Sequence, residues 1–556
     1  MTIGYVGLGA MGNALARRLV GTHPTLVWDL NPKAVETMER AGGRSARDLR
    51  HIAEECDVIF LCLPRSKDVE SVLFGSGMAE ALRPGALVID QTSGIPAMSA
   101  GFAKRLAANS VGMIDAPVAG GVPAALAGSV AIMVSGPDTD IDRALPLLHE
   151  ISPRVFRCSH RVGDAQASKL VNNCVNSGYR MATLELVALG RKFGLSLPVL
   201  TDVLSAGWGA NFTAKRLLPA LVEGRPSTDF SLALMLKDVN QCLAIAASFG
   251  VPMPISSLTR GLMQAGQNLL TPTAGLDEIV DAMEQLAAAP IRPQEKPAPP
   301  TQQNGSRPLR IGICSGERLS TATRSAISAG RDVISVSAET LEDAAAPELV
   351  IDFTRRAPAD FERLAARLAE RGIALVDAAS GSVPYNLIDS PDIWLCGGSA
   401  SAFALAGPVL EGSSGRAIHC GAPGSGRIAE LVGSAVAICN RAAMYENAWT
   451  GLAFGLEPSA MATALNEGSG WSAEGARVLD AMKSGDASSA TSLGSIADDM
   501  DELMQLALTA GAPLFLAGIV RATVQAEVAR TGRNATLDEL APPLLRRGSA
   551  ARPSQM

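Results

Sequence analysis

A repeat within this chain constrains its fold more than any other sequence feature. The segment GDAQASKLVNN begins at Gly163, and GSGRIAELVGS begins at Gly424, which is 261 positions later (424 − 163). The same shift aligns Gly194 with Gly455, and the register continues without a gap from Gly163 to Pro252. Similarity at one fixed shift indicates a tandem duplication.

The region before this segment is duplicated as well, but its second copy is shorter. Asp115 in GMIDAPVAGG matches Asp377 in ALVDAASGS, a shift of 262 (377 − 115). Ile3 in IGYVGLGAMG matches Ile311 in IGICSGERLS, a shift of 308 (311 − 3). The second copy therefore lacks 46 positions (308 − 262) of the first.

Hydrophobic patterning gives the fold class of each copy. Apolar runs alternate with helical periodicity in the first part of the chain: IGYVGL, TLVWDL, DVIFLCLP, ALVIDQT, GMIDAPV and SVAIMVSG. This alternation is typical of βαβ units and a mostly parallel sheet. From Gly163 to about Gln285 only helical spacing remains. We predict an α/β Rossmann domain plus an all-α helical domain, repeated twice in one chain, with the second Rossmann domain truncated.

Domain boundaries follow from the repeat and from APIRPQEKPAPPTQQNGSRP, a proline-rich polar stretch typical of a linker. The first copy comprises residues 1–288 and the second copy residues 309–545. The predicted order is a Rossmann domain (1–162), a helical substrate- and dimerisation-type domain (163–288), the linker (289–308), a degenerate Rossmann-like domain (309–423), a second helical domain (424–545) and a tail (546–556).

Composition excludes several classes of function. The net charge of −7 offers no basic surface for nucleic acid, and no apolar run approaches the ~18 residues of a membrane helix. The nine cysteines include no CxxC pair and the five histidines are dispersed, so neither a metal site nor a disulfide framework is expected. The chain opens directly on the strand-like TIGYVGLG, so we expect no targeting peptide. We expect a cytoplasmic protein.

A glycine-rich turn at the start of the chain predicts a dinucleotide site. In GLGAMG, Gly7 suits a tight turn, Gly9 lets the backbone approach a pyrophosphate, and Gly12 allows close helix–strand packing. Asp29 follows the middle glycine by 20 positions (29 − 9). A carboxylate there accepts hydrogen bonds from ribose hydroxyls and repels a 2′-phosphate. We therefore predict NAD as the cofactor, with NADP less favoured.

Further motifs follow this turn in a fixed order. The set is GLGAMG at 7–12, DQTSGIP at 90–96, DAPVAGG at 115–121, GDAQASKLVNN at 163–173 and LKDV at 236–239. In kind and order these motifs resemble the β-hydroxyacid dehydrogenase family, within the 6-phosphogluconate dehydrogenase superfamily. That family includes 3-hydroxyisobutyrate, tartronate semialdehyde and threonate dehydrogenases. The resemblance implies an oxidoreductase that transfers a hydride between NAD and a small 3-hydroxy acid.

Lys169 is the candidate for the proton transfer that oxidation of an alcohol requires. Asn173 lies four residues later on the same helix face, where its amide can hold the substrate oxygen or orient the lysine. A lysine acts as a base near neutral pH only if burial or a nearby cation lowers its pKa. The resemblance assigns catalysis to Lys169 and Asn173.

The resemblance also assigns the cofactor and substrate contacts. It places Thr92 and Ser93 near the nicotinamide and substrate, and Lys237 over the cofactor. Backbone N–H groups of Gly120 and Gly121 are offered to a substrate carboxylate. The expected cofactor set is Gly7, Leu8, Gly9, Ala10, Met11, Gly12, Asp29, Leu63, Pro64, Ser93 and Lys237. The expected substrate set is Thr92, Ala119, Gly120, Gly121, Asn173 and Trp208.

Because the sequence departs from the family pattern at some positions, the resemblance does not determine the identity of the substrate. Ala119 stands where the family usually has serine, which removes one hydroxyl donor to a substrate carboxylate. Ala165 stands where the family has glycine. Trp208, in SAGWGANF, either forms a wall of the substrate pocket or is an ordinary core residue.

The second copy has lost the residues of this site. The equivalent positions are Ser315, Glu317 and Ser320 for the three glycines, a position near Ser337 for Asp29, Glu430 for Lys169, Ser434 for Asn173 and Asp498 for Lys237. We expect a non-catalytic copy that serves as an intramolecular partner, giving a pseudo-dimer with one working site. Regulation through a second ligand is the alternative, and homodimerisation of whole chains stays open.

Other functions compete with a dehydrogenase. One is a non-catalytic NAD-binding sensor or scaffold, and another is a reductase of a related C=O or C=N substrate. Imine reductases usually replace the lysine, so Lys169 argues against them. Decarboxylating phosphogluconate enzymes carry KxxHN, whereas this chain has KLVNN. An intact Lys169 and Asn173 favour the dehydrogenase.

Overall fold

The computed structural model describes residues 1–293, 309–315, 318–337, 347–381, 391–413, 415–542 and 545. Glu317 and most of the predicted linker lie outside these ranges. The chain forms two compact units, each built from segments of both copies. Unit 1 comprises Met1–Ser177, Thr228–Leu276 and Met444–Trp471, and unit 2 comprises Gly178–Ser227, Asp277–Ala443 and Ser472–Met556.

Unit 1 contains a nine-stranded sheet in the order β3-β2-β1-β4-β5-β6-β8-β7, with β9 paired to β8. The strands from β3 to β6 in this order run parallel, whereas β8 is antiparallel to β6 and β7. The strands are β1 (Ile3–Val6), β2 (Thr25–Trp28), β3 (Arg44–Ser45), β4 (Val58–Leu61), β5 (Leu87–Asp90), β6 (Gly112–Asp115), β7 (Val118–Ala119), β8 (Ala131–Ser135) and β9 (Val155–Ser159). The six apolar runs of the sequence all form strands of this mostly parallel sheet.

Helices cover both faces of this sheet, and its central strands are therefore buried along their whole length. One face buries a core around Tyr5 and Phe60, and the other buries a core around Ile59 and Val88. The helices are α1 (Ala10–Val20), α2 (Pro32–Glu39), α3 (Leu49–Glu55), α4 (Ser66–Glu70), α5 (Met78–Ala81), α6 (Pro96–Ala107), α7 (Gly121–Leu126) and α8 (Asp138–Ile151), with one turn of π-helix at Ser71–Gly75.

The helical region of the first copy begins with five helices and a 3-10 turn, and the second copy has the same order of elements in its described residues. The first contains α9 (Asp164–Lys192), α10 (Leu197–Ala206), α11 (Phe212–Glu223), α12 (Leu232–Ser248), α13 (Pro254–Leu269) and α14 (Ile279–Ala287). A 3-10 turn at Leu276–Glu278 precedes α14. Helical spacing therefore predicted this region correctly.

Unit 2 contains the smaller sheet expected from the truncated second copy. Its order is β11-β10-β12-β13-β14-β15, parallel except for the β13–β14 pair. The strands are β10 (Arg310–Cys314), β11 (Asp332–Ser335), β12 (Leu349–Asp352), β13 (Ala374–Ser380), β14 (Ile393–Gly398) and β15 (Arg416–Gly421). The second copy's helices are α15 (Thr321–Ser328), α16 (Pro358–Ala369), α17 (Ala400–Glu411), α18 (Ser425–Phe454), α19 (Pro458–Glu467), α20 (Ala473–Ser484), α21 (Leu493–Ala510) and α22 (Leu516–Thr531), with a 3-10 turn at Leu537–Leu540.

The long helices α9 and α18 start in the same way in both copies. Asp115 accepts hydrogen bonds from the N–H groups of Gly163 (2.9 Å) and Gln166 (2.8 Å). Asp377, its counterpart in the second copy, accepts them from Gly424 (2.6 Å) and Arg427 (3.1 Å). A buried carboxylate at a helix N-terminus satisfies N–H groups that have no partner within the helix. The duplication is thus visible in local structure as well as in sequence.

Each long helix also caps a helix of the other copy. In unit 2, Glu185 of α9 accepts hydrogen bonds from the N–H groups of Phe515, Leu516 and Ala517, where α22 begins. In unit 1, Glu446 of α18 accepts them from the N–H groups that open α13. Glu446 follows Glu185 by 261 positions (446 − 185), so the two contacts are equivalent. The copies therefore exchange matching contacts within each unit.

None of the helices in the described ranges combines the length and the apolar content that crossing a lipid bilayer requires.

Candidate active site

The loop between β1 and α1 has the shape that a pyrophosphate requires. Gly7 has a φ of +94°, and a Cβ there would lie 2.3 Å from the carbonyl oxygen of Cys62. A Cβ on Gly12 would lie 2.0 Å from the carbonyl oxygen of Gly7. Within the described part of the chain, Gly9 faces open space and no side chain caps α1. The positive end of the helix is left for a phosphate, so these residues fit a dinucleotide.

Asp29 lies directly after β2 and is fixed against the glycine loop. Its Oδ2 accepts a hydrogen bond from the N–H of Leu8 at 2.6 Å, and its Oδ1 accepts one from the N–H of Asn31 at 2.7 Å. The next side chain, Leu30, is 86% exposed. The predicted ribose-binding carboxylate therefore lies beside the glycine loop, which is followed by Ala10 and Met11 at the start of α1.

Backbone and side-chain hydrogen bonds tie the ends of β4 and β5 to α9. The N–H of Leu63 donates to Oγ1 of Thr92 at 3.1 Å, and Pro64 follows as an exposed residue. The N–H of Thr92 donates to Oδ1 of Asp90 at 3.0 Å. Nε2 of Gln166, on α9, donates to the carbonyl oxygen of Thr92 at 2.6 Å. These contacts fix the loops at the carboxyl end of the sheet, where ligands of such folds bind.

Two predicted site residues, Asn173 and Lys237, meet at a buried carboxylate. Nδ2 of Asn173 donates to Oδ2 of Asp238 at 2.6 Å, and Nζ of Lys237 lies 3.3 Å from Oδ1 of the same residue. Nζ of Lys237 also donates to the carbonyl oxygen of Ser93 at 2.7 Å. Lys169, one helical turn before Asn173, is 7% exposed. The structure thus brings the lysine pair, Asn173 and Ser93 together in unit 1.

Burial gives Lys169 the pKa that a base near neutral pH needs. The pKa of Lys169 is lowered from 10.5 to about 8, and loss of hydration on burial is the largest cause. The carboxylate of Asp238 opposes this shift, and the charge of Lys237 adds to it. A substantial fraction of Lys169 is therefore neutral at mildly alkaline pH.

The DAPVAGG segment ends in two glycines whose φ angles are positive. Gly120 has a φ of +134° and Gly121 a φ of +76°, which is the region that favours glycine. Ala119, at the end of β7, is buried. The serine hydroxyl typical of the family is therefore replaced by a buried methyl group.

Trp208 is not among the residues of unit 1. It belongs to unit 2, where its indole N–H donates to the carboxylate of Glu474 and its backbone N–H donates to the carbonyl oxygen of Gly381 at 2.9 Å. Its side chain is buried. The structure does not bring Trp208 together with Lys169 and Asn173 within unit 1.

Two residues that the sequence analysis did not single out belong to the site. Asp238 contacts both Asn173 and Lys237, and it is fully buried. Gln166 holds both sides of the loop after β5, since its Oε1 also accepts the N–H of Gly94 at 2.8 Å. Asp238 lies in the LKDV motif and Gln166 in the GDAQASKLVNN motif. Their position within these motifs is the sequence signal that could have identified them as site residues.

The equivalent region of the second copy is filled by ion pairs. Arg427 donates to Glu430 at 2.6 Å, Asp499 at 2.7 Å and Glu502 at 2.5 Å. Arg318 donates to the other oxygen of Glu430 at 3.1 Å. Burial alone raises the pKa of Glu430, but the surrounding guanidinium groups outweigh it and lower the pKa to about 2. A permanently charged cluster thus occupies the place that Lys169 has in the first copy.

Other second-copy positions have also changed role. Ser320, which replaces Gly12, is the N-cap of α15 and accepts the N–H of Thr323 at 3.0 Å. Asp498, which replaces Lys237, pairs with the exposed Arg533 at 2.6 Å. In the described parts of the chain, no three metal-binding side chains come together as a candidate metal site.

Known families match this architecture in both copies. The model of the NAD-binding domain of 6-phosphogluconate dehydrogenase matches residues 2–160 and 274–421. The model of the NAD-binding domain of NADP-dependent 3-hydroxyisobutyrate dehydrogenase matches residues 163–283 and 424–544. The fold and the site therefore define an NAD(P)-dependent oxidoreductase.

Individual relatives agree with these family models. The chain is 30% identical over 257 residues to the L-threonate dehydrogenase of Cupriavidus necator, covering 46% of this chain and 86% of that protein. It is 31% identical over 284 residues to the 3-hydroxyisobutyrate dehydrogenase of Pseudomonas aeruginosa, covering 50% and 95%. The structure of Mycobacterium tuberculosis 3-hydroxyisobutyrate dehydrogenase with L-serine aligns with a TM-score of 0.48 at 28% identity, covering 51% of this chain and 98% of that one. The chain belongs to the β-hydroxyacid dehydrogenase family and carries the family's two domains twice.

Proposed function

We propose that this protein oxidises a small 3-hydroxy acid with NAD+ at one site per chain, located in unit 1. The observation that carries the proposal is the buried Lys169 beside Asn173 and Asp238. Relatives named as L-threonate and 3-hydroxyisobutyrate dehydrogenases support a substrate of the 3-hydroxyisobutyrate or hydroxy-sugar-acid type. Both kinds of substrate carry a carboxylate and a nearby hydroxyl group.

In this proposal each site residue has a distinct task. The bound nicotinamide supplies the hydride chemistry. Lys169, in its neutral form, takes the proton of the substrate hydroxyl as that group becomes a carbonyl. The Nδ2 of Asn173 uses one hydrogen for Asp238 and has a second hydrogen for the substrate oxygen. Backbone N–H groups near Gly120 and Gly121 receive the substrate carboxylate.

The choice of NAD over NADP rests on the residues after β2. The half-buried carboxylate of Asp29 suits two ribose hydroxyls and repels a 2′-phosphate. The next side chain is the apolar Leu30, so the neighbouring residue supplies no positive charge to hold such a phosphate.

The second copy acts in this proposal as a non-catalytic partner inside the chain. Its Glu430 is anionic and tied to Arg427 and Arg318, so it cannot replace the lysine as a base of moderate pKa. Equivalent helix caps at Glu185 and Glu446 support a pseudo-dimer in which each copy completes the fold of the other.

The rate of acid oxidation should rise with pH through a midpoint near 8. Below that pH, Lys169 is protonated and cannot accept the hydroxyl proton; above it, the rate should level off. The reverse reduction needs the protonated form and should fall through the same midpoint. Initial rates between about pH 6 and 10 check this. A flat profile, or a midpoint near the ordinary lysine pKa of 10.5, would contradict it.

The proposed function is tested by measuring NAD+ reduction across a panel of 3-hydroxy acids, with NADP+ in parallel. We expect turnover of one acid or a small group of acids, with kcat/KM higher for NAD+ than for NADP+. If NADH binds but no acid turns over, the sensor alternative replaces the dehydrogenase. Faster turnover with NADP+ would overturn the role given to Asp29.

A further inference from the structure

A loop of the second copy contacts the catalytic helix of the first copy inside unit 1. Oδ1 of Asn172 accepts the N–H of Gly470 at 2.8 Å, and its Nδ2 donates to Oγ of Ser469 at 2.9 Å. The same Nδ2 donates to Oδ1 of Asn173 at 3.1 Å. Asn172 is fully buried. All polar atoms of this side chain are therefore engaged, on one side by the second copy and on the other by the catalytic asparagine.

The loop is shaped for this contact. A Cβ on Gly468 would lie 2.3 Å from Oδ1 of Asn172, and a Cβ on Gly470 would lie 3.0 Å from the same atom. Any side chain at Gly468 would force Asn172 to move. The GSG sequence thus lets the backbone come close enough to hold the Asn172 amide, with Ser469 as the one side chain between the two glycines.

The equivalent contact in unit 2 is built differently. Trp208 and Ser469 are counterparts, as are Asn172 and Gly433, each pair separated by 261 positions (469 − 208 and 433 − 172). In unit 2 a Cβ on Gly209 would lie 2.9 Å from the carbonyl oxygen of Gly433. In unit 2, therefore, the loop carries the large Trp208 and the helix carries Gly433, which has no side chain. In unit 1, the loop carries the small Ser469 and the helix carries Asn172, whose amide contacts Asn173.

We propose that the second-copy loop Gly468–Gly470 is a working part of the first copy's active site, in which Ser469 is a positioning residue. It acts through Asn172 on the amide of Asn173. Two hydrogen bonds then fix that amide, one from Asn172 to its oxygen and one from its nitrogen to Asp238. The remaining N–H of Asn173 is left in a single orientation toward the substrate. The inference rests on the proposed function, because it assigns Asn173 to substrate binding.

The test compares Ser469→Ala in the full chain with wild type and with Ser459→Ala. Ser459 is an exposed serine on α19, so the control makes the same chemical change in the same segment. We expect Ser469→Ala to lower kcat about 5-fold, the effect of one lost hydrogen bond, with KM for NAD+ unchanged. Asn172→Ala should lower kcat by about 10- to 100-fold, because Asn173 then loses its neighbour entirely.

A double-mutant cycle with Asn173→Ala separates positioning from a structural effect. In the Asn173→Ala background, Ser469→Ala should change kcat no further. The inference is wrong if Ser469→Ala leaves kcat at the wild-type value, or if it lowers kcat equally in both backgrounds. Thermal unfolding midpoints show whether the variants are folded at the assay temperature.

A second measurement keeps this inference separate from the proposed function. If wild type turns over no acid, the proposed substrate class fails, and the Asn173 side chain is then followed directly. In NMR spectra of protein labelled with 15N-asparagine, the side-chain amide signal of Asn173 is assigned as the signal that disappears in Asn173→Ala. Ser469→Ala should shift that signal and Ser459→Ala should not. An unmoved signal overturns the positioning role whatever the reaction is.

Discussion

Lys169→Met should lower kcat by roughly 10²- to 10⁴-fold and leave NADH binding close to wild type. Methionine keeps the length and apolar stem of lysine, so packing in the buried site changes little. It removes the only group placed to take the hydroxyl proton in this proposal. The measurement is steady-state turnover of the acid found in the panel, together with NADH binding followed by fluorescence.

Lys104→Met is the matched control for this change. Lys104 lies on α6 in unit 1 and is exposed, so the same loss of charge should leave kcat unchanged. If Lys169→Met kept more than about a tenth of the wild-type kcat, another group would have to move the proton, since general acid–base catalysis by one side chain is worth more than that.

Arg427→Met should destabilise unit 2 by about 3–5 kcal/mol. Arg427 is 4% exposed and pairs with Glu430, Asp499 and Glu502. Without the guanidinium, three carboxylates stay close together with less positive charge to stabilise them. Burial of an unpaired charge costs far more than the loss of a surface ion pair. The effect should appear as a lower midpoint of thermal unfolding.

Arg363→Met provides the comparison with an exposed ion pair. Arg363 pairs with Asp360 on α16, and its side chain is 72% exposed. Its loss should cost about 0–1 kcal/mol, because water screens the pair. Equal stability of the two variants would show that the cluster around Arg427 does not hold unit 2 together.

Much of the fold follows from local pattern alone. The runs that became β1, β4 and β5 are mostly apolar and bounded by helices, and this pattern predicts a parallel sheet that is buried on both faces. The strand β9, Val155–Ser159, was missed because it is only partly buried and mixes polar with apolar residues. Two-residue strands such as β3 have no pattern to detect.

The site was predictable where its residues are close in sequence and unpredictable where tertiary packing decides. Lys169 and Asn173 share a helix face, so their proximity follows from helix geometry. Asp238 comes from α12, and only packing brings it to Asn173. Trp208 shows the same limit. The sequence around it does not say whether its loop packs against a helix of the same copy or of the other copy. In the structure the two copies exchange these contacts.

The stoichiometry of NADH binding to the intact chain tests the central claim most directly. The account places one dinucleotide site in each chain, because GLGAMG and Asp29 occur only in the first copy and Ser320 caps α15 in the second. Isothermal titration calorimetry should therefore give one NADH per chain. Two NADH per chain would contradict the single dinucleotide site, and none would contradict the dehydrogenase itself.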